Sequence, residues 1–189
     1  LERRPATATL PEGRDHDLLD VPGLGSTTYD LAAAGDNDRN FYLWGAMGGA
    51  AMIGLGLALA QPDRRVAVIT GDGEMLRGMG ALATIGIQQP RNLAVIVFDN
   101  GVYGETGGQQ SHTGGGVDMG AVARGCRFGT CLEVTDEAGL ADLAGRLKTL
   151  QSLLFARVAI YPDEPPRVLP EKEGAVLKRR FRAALGLTP

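Results

Sequence analysis

The chain has 189 residues, of which 44% are hydrophobic and 22% charged, with a formal net charge of −3 and two cysteines. That length holds one domain with a sizeable core, alone or with a tail, and the charge balance gives no reason to expect nucleic acid as a partner. Cys126 and Cys131 are too few for a disulfide framework or a four-ligand zinc site, so a reduced, cytoplasmic setting is the simplest expectation.

Residues 1–16, with Pro5, Pro11 and Gly13, read as an irregular N-terminal arm, and His16 between two aspartates reads as solvated. No secretory pattern opens the chain, and a first residue other than Met is what a segment of a longer chain would show. Leu18 to Val21 forms a short apolar strand, broken by Pro22-Gly23-Leu24-Gly25, after which Ser26 and Thr27 can cap a helix from about Thr28. Strand, glycine turn and helix start together make a phosphate site through backbone amides. The same turn could open a nicotinamide-binding unit, but the third glycine is missing and Asp36 falls in a polar loop. Phe41 to Leu43 reads as another short strand. Leu43 to Ala60 carries no charge over 18 residues, which meets the length of a membrane span. Five glycines, several alanines and the lack of a flanking belt speak against a span and for a small-residue helix packed closely on all sides, partly against another subunit.

Val66 to Thr70 is a buried-strand pattern ending in Gly71-Asp72-Gly73, and Leu93 to Phe98 is a second, ending in Asp99-Asn100-Gly101. Between them Met75 to Gln88 has apolar positions near the 3.6-residue period. Two parallel strands joined by a helix deliver their carboxyl ends to one sheet edge, which brings Asp72 and Asn100 side by side. Magnesium takes about six oxygens, commonly from one or two side chains plus phosphate and water. Asp72, Asn100 and the carbonyl of Val102 supply three, and the glycines beside Asp72 let amides approach phosphates. The competing reading is two unrelated turns. Gly101 to Gly116 is glycine-rich, polar and long enough to be a binding loop or lid. It holds Tyr103, Glu105, Thr106, Gln109 and His112, and His112 is the candidate for proton transfer or substrate contact, although a loop histidine can also have no role.

Asp118 can cap a helix from Met119 to Arg124, Leu132 to Val134 is a strand, Asp136 starts a helix ending near Leu150, and Leu153 to Ile160 is a final strand. Four prolines between 162 and 170 then forbid regular structure. Glu171 to Leu187 can close the chain as a basic helix with Val176, Leu177, Phe181 and Leu185 on one side, and Lys178, Arg179, Arg180 and Arg182 on a solvated face or against an anionic substrate or partner. The expected architecture is a doubly wound α/β fold, mainly parallel, with helices on both faces: an arm over 1–16, a binding domain over 17–161, and a proline-rich linker with a basic helix over 162–189.

Gly-Asp-Gly, 26 further residues and then Asn, each after a strand, resembles the cofactor motif of the thiamine diphosphate enzymes. Phe41-Tyr42-Leu43-Trp44-Gly45-Ala46-Met47-Gly48, Gly80 to Ile85, and Asn100-Gly101-Val102-Tyr103 leading into Thr106 to Gln109 resemble the branch that decarboxylates sulfopyruvate and phosphonopyruvate. The resemblance covers roughly residues 18–160. It implies thiamine diphosphate and Mg2+ as cofactors, held by Gly25, Ser26, Thr27, Gly45, Met47, Gly71, Asp72, Gly73, Glu74, Asn100, Val102 and Tyr103. Asp72, Asn100 and Val102 would be the metal ligands, and Met47 the side chain that bends the cofactor. Met47 should be buried in that role or as ordinary core. Glu74 departs from the small residue usual after Gly73, and its side chain is expected to turn toward a subunit interface while its amide serves the phosphate. The glutamate that drives proton exchange belongs, in the family, to a separate pyrimidine-binding domain for which this chain has no room. The resemblance therefore implies one subunit of a hetero-oligomer acting on a 2-oxo acid. Carboligation and a non-catalytic cofactor-binding subunit are the alternatives.

Overall fold

The computed structural model describes residues 1–188. Five parallel strands form the central sheet: β1 (Leu18–Pro22), β2 (Arg65–Gly71), β3 (Leu93–Asp99), β6 (Thr130–Val134) and β7 (Leu154–Ala159), in the order β1-β2-β3-β7-β6. The two remaining strands, β4 (Val102–Tyr103) and β5 (Gln109–Gln110), pair antiparallel in a small hairpin inside the glycine-rich segment.

Strand alternation divides the core in two. Val66, Val68, Val95, Val97 and Phe155 face α3 (Ala50–Ala60), α5 (Gly80–Gln88) and α6 (Met119–Gly125). Ala67, Ile69, Ala94, Ile96 and Val158 face α1 (Arg3–Thr9), α2 (Ser26–Ala33) and α7 (Glu137–Lys148). Strands this apolar on both faces are what a sheet covered by helices requires. Asp118 and Asp136 cap α6 and α7 as their sequence predicts, accepting from the amides of Ala121 and Gly139.

Several expectations are corrected. Residues 1–16 are not irregular throughout: Arg3–Thr9 form α1, which packs on α2, and the buried Arg3 pairs with the fully buried Asp30, while residues 10–16 follow as turns and loop. Pro5 is compatible because it lies in the first turn, where its missing N–H costs nothing. Phe41 to Leu43 is no strand. Only a bridge between Asp20 and Asn40 joins the edge of β1 to this segment, and the Asn40 amide of that stretch goes to a turn with Asn37 instead of to a ladder.

The helix expected over 75–88 is two, α4 (Asp72–Arg77) and α5, parted at Gly78. There the chain touches another turn so closely that a Cβ on Gly78 would lie 2.1 Å from the Gly48 carbonyl oxygen. The α3 helix is buried along one side only, with Met52 43% and Leu59 52% exposed on the other. At the C-terminal end, α8 (Gly174–Ala184) buries Leu177 and Phe181, and its charged face is not wholly solvated: Arg180 makes a bidentate pair with Asp36 at 2.8 and 2.9 Å. Among the described residues no helix is long and apolar enough to cross a membrane.

Candidate cofactor site

The carboxyl ends of β1, β2 and β3 open on one edge of the sheet. The register pairs Gly71 with Phe98, so the residues that follow each strand, Asp72 and Asn100, project at neighbouring points. They share the wall of a cavity of about 190 Å³ with Ser26, Thr27, Met47, Gly71, Gly73, Glu74, Val102 and Tyr103. Asp72 and Asn100 thus meet as the strand topology predicts, joined by residues from two further stretches of sequence. Gly25 and Gly45, also expected at the site, do not line this cavity; both sit in turns with positive φ, 87° and 91°. The turn that carries Met47 is itself held in a costly conformation, since Ala46, with a β-carbon, has φ 53°.

The acid at the centre is well supported. Asp72 is 3% exposed, and its Oδ2 accepts hydrogen bonds from Ser111 Oγ at 2.5 Å and Thr113 Oγ1 at 2.9 Å. Thr113 Oγ1 also lies 2.7 Å from Oδ1 of Asp99, whose other oxygen takes Nε of Arg157 at 2.5 Å. A threonine hydroxyl has one proton, so it cannot satisfy both carboxylates at once. Burial, together with the negative charge of Asp99, pushes Asp72 above the ordinary carboxylate range, while the two hydroxyls work against the shift.

Asn100 Oδ1 accepts from the amide of Val102 at 3.1 Å, which locks the start of the hairpin. Tyr103 lies over Gly73: a Cβ there would fall 2.4 Å from Cε1 of the ring. Its hydroxyl is 3.4 Å from Nδ1 of His112. His112 is exposed and borders an adjoining cavity of about 520 Å³, which shares Met47, Gly73, Tyr103 and Thr106 with the first.

The residues fit a magnesium diphosphate. Two buried carboxylates, Asp72 and Asp99, sharing the Thr113 hydroxyl are an excess of negative charge that a divalent cation would relieve, and the bare Gly71 leaves backbone open to an approaching ligand. Among the described residues no group of three His, Cys, Asp or Glu side chains could hold a metal, so such an ion would depend on Asp72 with amide, carbonyl and ligand oxygens.

Three expectations change. Met47 is 38% exposed instead of buried, because it stands on the cavity wall with no protein packed over it. Glu74 faces no surface: it is 4% exposed and turned into the fold, where Thr70 Oγ1 donates to its Oε2 at 2.8 Å. Ser26 and Thr27 do not cap α2. Thr27 and Thr28 donate back to the carbonyl of Gly23, and Ser26 reaches Glu105 at 3.3 Å.

Ser111, Thr113, Asp99 and Arg157 were not legible as site residues. The one available signal was the alternation of two hydroxyls around His112 in an otherwise glycine-rich run. Glu105, on the same hairpin, is tied to Arg167 at 2.9 Å, a residue of the proline-rich segment whose guanidinium lies over the ring of Tyr29.

Comparison with known proteins identifies the family. The family described as "Thiamine pyrophosphate enzyme, C-terminal TPP binding domain" matches residues 24–151. Sulfopyruvate decarboxylase subunit beta of Methanothermobacter thermautotrophicus is 43% identical over 175 residues, covering 91% of this chain and 90% of that protein. Its counterpart in Methanocaldococcus jannaschii is 36% identical over 166 residues, 87% of each chain. Phosphonopyruvate decarboxylase of Streptomyces viridochromogenes is 37% identical over 178 residues, and there this chain spans only 43% of the relative. The crystal structure of benzoylformate decarboxylase from Polynucleobacter necessarius superposes with a TM-score of 0.74 at 19% identity, over 88% of this chain and 34% of that one, and so shares the fold. On the family match and the beta-subunit relatives, the chain belongs to the thiamine pyrophosphate enzymes and carries their C-terminal cofactor-binding domain.

Proposed function

We propose that this chain is the diphosphate- and Mg2+-binding subunit of a two-subunit, thiamine diphosphate-dependent decarboxylase of a 3-substituted pyruvate, of the sulfopyruvate or phosphonopyruvate type. The observation that carries the reading is the convergence of Asp72, Asn100 and the Val102 turn on one cavity, with Met47 on its wall. Asp72, Asn100 and the Val102 carbonyl would hold the ion. The Gly25 to Thr27 turn and the amides from Gly71 to Glu74 would hold the diphosphate, and Met47 and Tyr103 would bound the rest of the cofactor. Thiamine diphosphate, when bound, supplies a carbanion at its thiazolium carbon and an electron sink for the carboxylate lost from a 2-oxo acid.

Among the described residues, the two glutamates that line the cavity are both engaged, which leaves no free glutamate there for proton exchange. Glu74 is buried against backbone and Glu105 is engaged by Arg167 and Ser26. A second subunit with a pyrimidine-binding domain would bring that glutamate, in keeping with the "subunit beta" names of the relatives. His112, which lines the adjoining cavity, would contact the substrate in this reading. Co-expression with the neighbouring gene, followed by assay of a panel of 2-oxo acids with thiamine diphosphate and Mg2+, tests the reading. Decarboxylation should require both chains, and turnover by this chain alone would refute the split site.

A further inference from the structure

The carboxylate of Glu74 is buried where three turns meet. Glu74 lies in the first turn of α4, two residues after Asp72, yet its side chain turns back onto Thr70 near the end of β2 and Gly23 just past β1. Oε2 is held by Thr70, and Oε1, equally buried, has no hydrogen-bond partner among the described residues. A buried acid so sparingly satisfied is costly to keep, which makes its surroundings informative.

Gly23 lies flat against it: a Cβ on Gly23 would fall 1.7 Å from Oε2 and 2.6 Å from Cδ. Gly23 is itself fixed to β2 by its amide on the Ile69 carbonyl at 2.8 Å, and to α2 by the hydroxyls of Thr27 and Thr28. Burial pushes the Glu74 carboxyl above the ordinary carboxylate range, while the Thr70 hydroxyl and the nearby backbone N–H groups of Gly48, Ala50 and Leu24 work against the shift. The carboxyl group is thus wedged between the Thr70 hydroxyl and bare Gly23 backbone. The Gly23–Gly25 turn, the turn before α3 and the end of β2 are distant in sequence. Each contributes to the cavity wall, through Leu24, Met47 and Gly73.

We propose that Glu74 is a positioning residue whose carboxylate splints these three turns together and thereby sets the spacing of the walls that receive the diphosphate. Its action runs through the backbone of Gly23 and Gly48. The role rests on the cofactor reading above, and it accounts for an acid standing beside an anion site: the carboxyl group is turned onto Thr70 and the Gly23 backbone behind the wall, away from the anion.

The test is calorimetric titration of thiamine diphosphate with Mg2+ into the two-subunit complex, alongside melting curves without ligand, for wild type, Glu74→Gln, Glu74→Ala, Gly23→Ala and the Gly23→Ala/Glu74→Ala pair. Glu74→Gln keeps the size but turns an N–H toward donors, so it should stay folded and bind the cofactor at least tenfold more weakly. Gly23→Ala should bind more weakly still, because its methyl collides with the carboxylate. The pair should then recover affinity relative to Gly23→Ala, a rescue that general destabilisation would not give. Wild-type affinity in both Glu74 variants, or a pair no better than Gly23→Ala, would overturn the role. Absence of binding by the wild-type complex would instead overturn the cofactor reading, and the role with it. Should Glu74→Ala fail to fold, Glu74→Gln against wild type decides.

Discussion

Asp72 and Asp99 stand at the ends of neighbouring strands and compete for one proton, that of Thr113, whose oxygen is 2.9 Å from the first and 2.7 Å from the second. A cation bound between them would relieve the crowding of negative charge.

Replacing Thr113 by Val removes the shared donor with little change of volume. Asp72 keeps only Ser111, and Asp99 keeps Arg157 and the Gly101 amide. The loss should cost about 1–3 kcal/mol, the usual consequence of stripping a partner from a buried charged acceptor. Urea unfolding of the chain measures it. Unchanged stability would show that the hydroxyl is not engaged.

Asp72→Asn should separate folding from ion binding. Asp72 is pushed upward from its ordinary 3.8, so the folded chain holds this proton more tightly than the unfolded one. Stability from this group is therefore full below about pH 4 and is lost as pH rises through the elevated value. Asn cannot ionise, so without ligand the variant should melt no lower than wild type at pH 7, and Mg2+ with thiamine diphosphate should no longer raise its melting temperature. Melting curves from pH 4 to pH 8, with and without ligand, report both effects.

Far from the cavity, Arg14 pairs with Asp20 and donates to Asn40 at 2.8 Å. Asp20 is 1% exposed, and burial pushes it up to about 6 despite the arginine. Arg14→Ala would leave that charge alone inside the protein, at a cost of about 3–5 kcal/mol at pH 7. The folded variant should recover stability on acidification toward pH 5, because protonating Asp20 removes the unpaired charge. Chemical unfolding at the two pH values checks the sign.

The uncharged face formed by α3 and α5 exposes Leu59 by 52% and Ile87 by 67%. If this face meets the partner subunit, Leu59→Glu and Ile87→Glu should leave the melting temperature of the isolated chain within a few degrees. They should lower co-purification of the second subunit at least tenfold. Wild-type recovery of the complex would move the interface elsewhere.

The sequence exposed what depends on local pattern. The apolar runs of β2 and β3 and the glycines around Asp72 identify strand ends, and strand ends in a parallel sheet converge without further information. What it hid depends on contacts between distant segments. No local rule breaks the 75–88 helix at Gly78; the reason is Gly48, thirty residues earlier, pressed against it. The α1 helix is held by Arg3 on Asp30 and by Ala6 and Leu10 in the core, none of which a proline-dotted stretch announces. Met47 and Glu74 were misplaced for opposite reasons: a large apolar side chain is assumed to be inside and a charged one outside, and here cavity wall and splinted turn reverse both.

The β4–β5 hairpin holds the edge of the cavity with Val102 and Tyr103 on its first strand, and the hydroxyls of Ser111 and Thr113, just past its second, grip Asp72 from below. A single ribbon is thus fastened to the anionic centre at one end and forms the rim at the other. Arrival of a counter-ion at that centre would be transmitted along the ribbon as a stiffening of its backbone, so slowed amide hydrogen exchange between Gly101 and Gly116 would record occupancy before any chemistry begins.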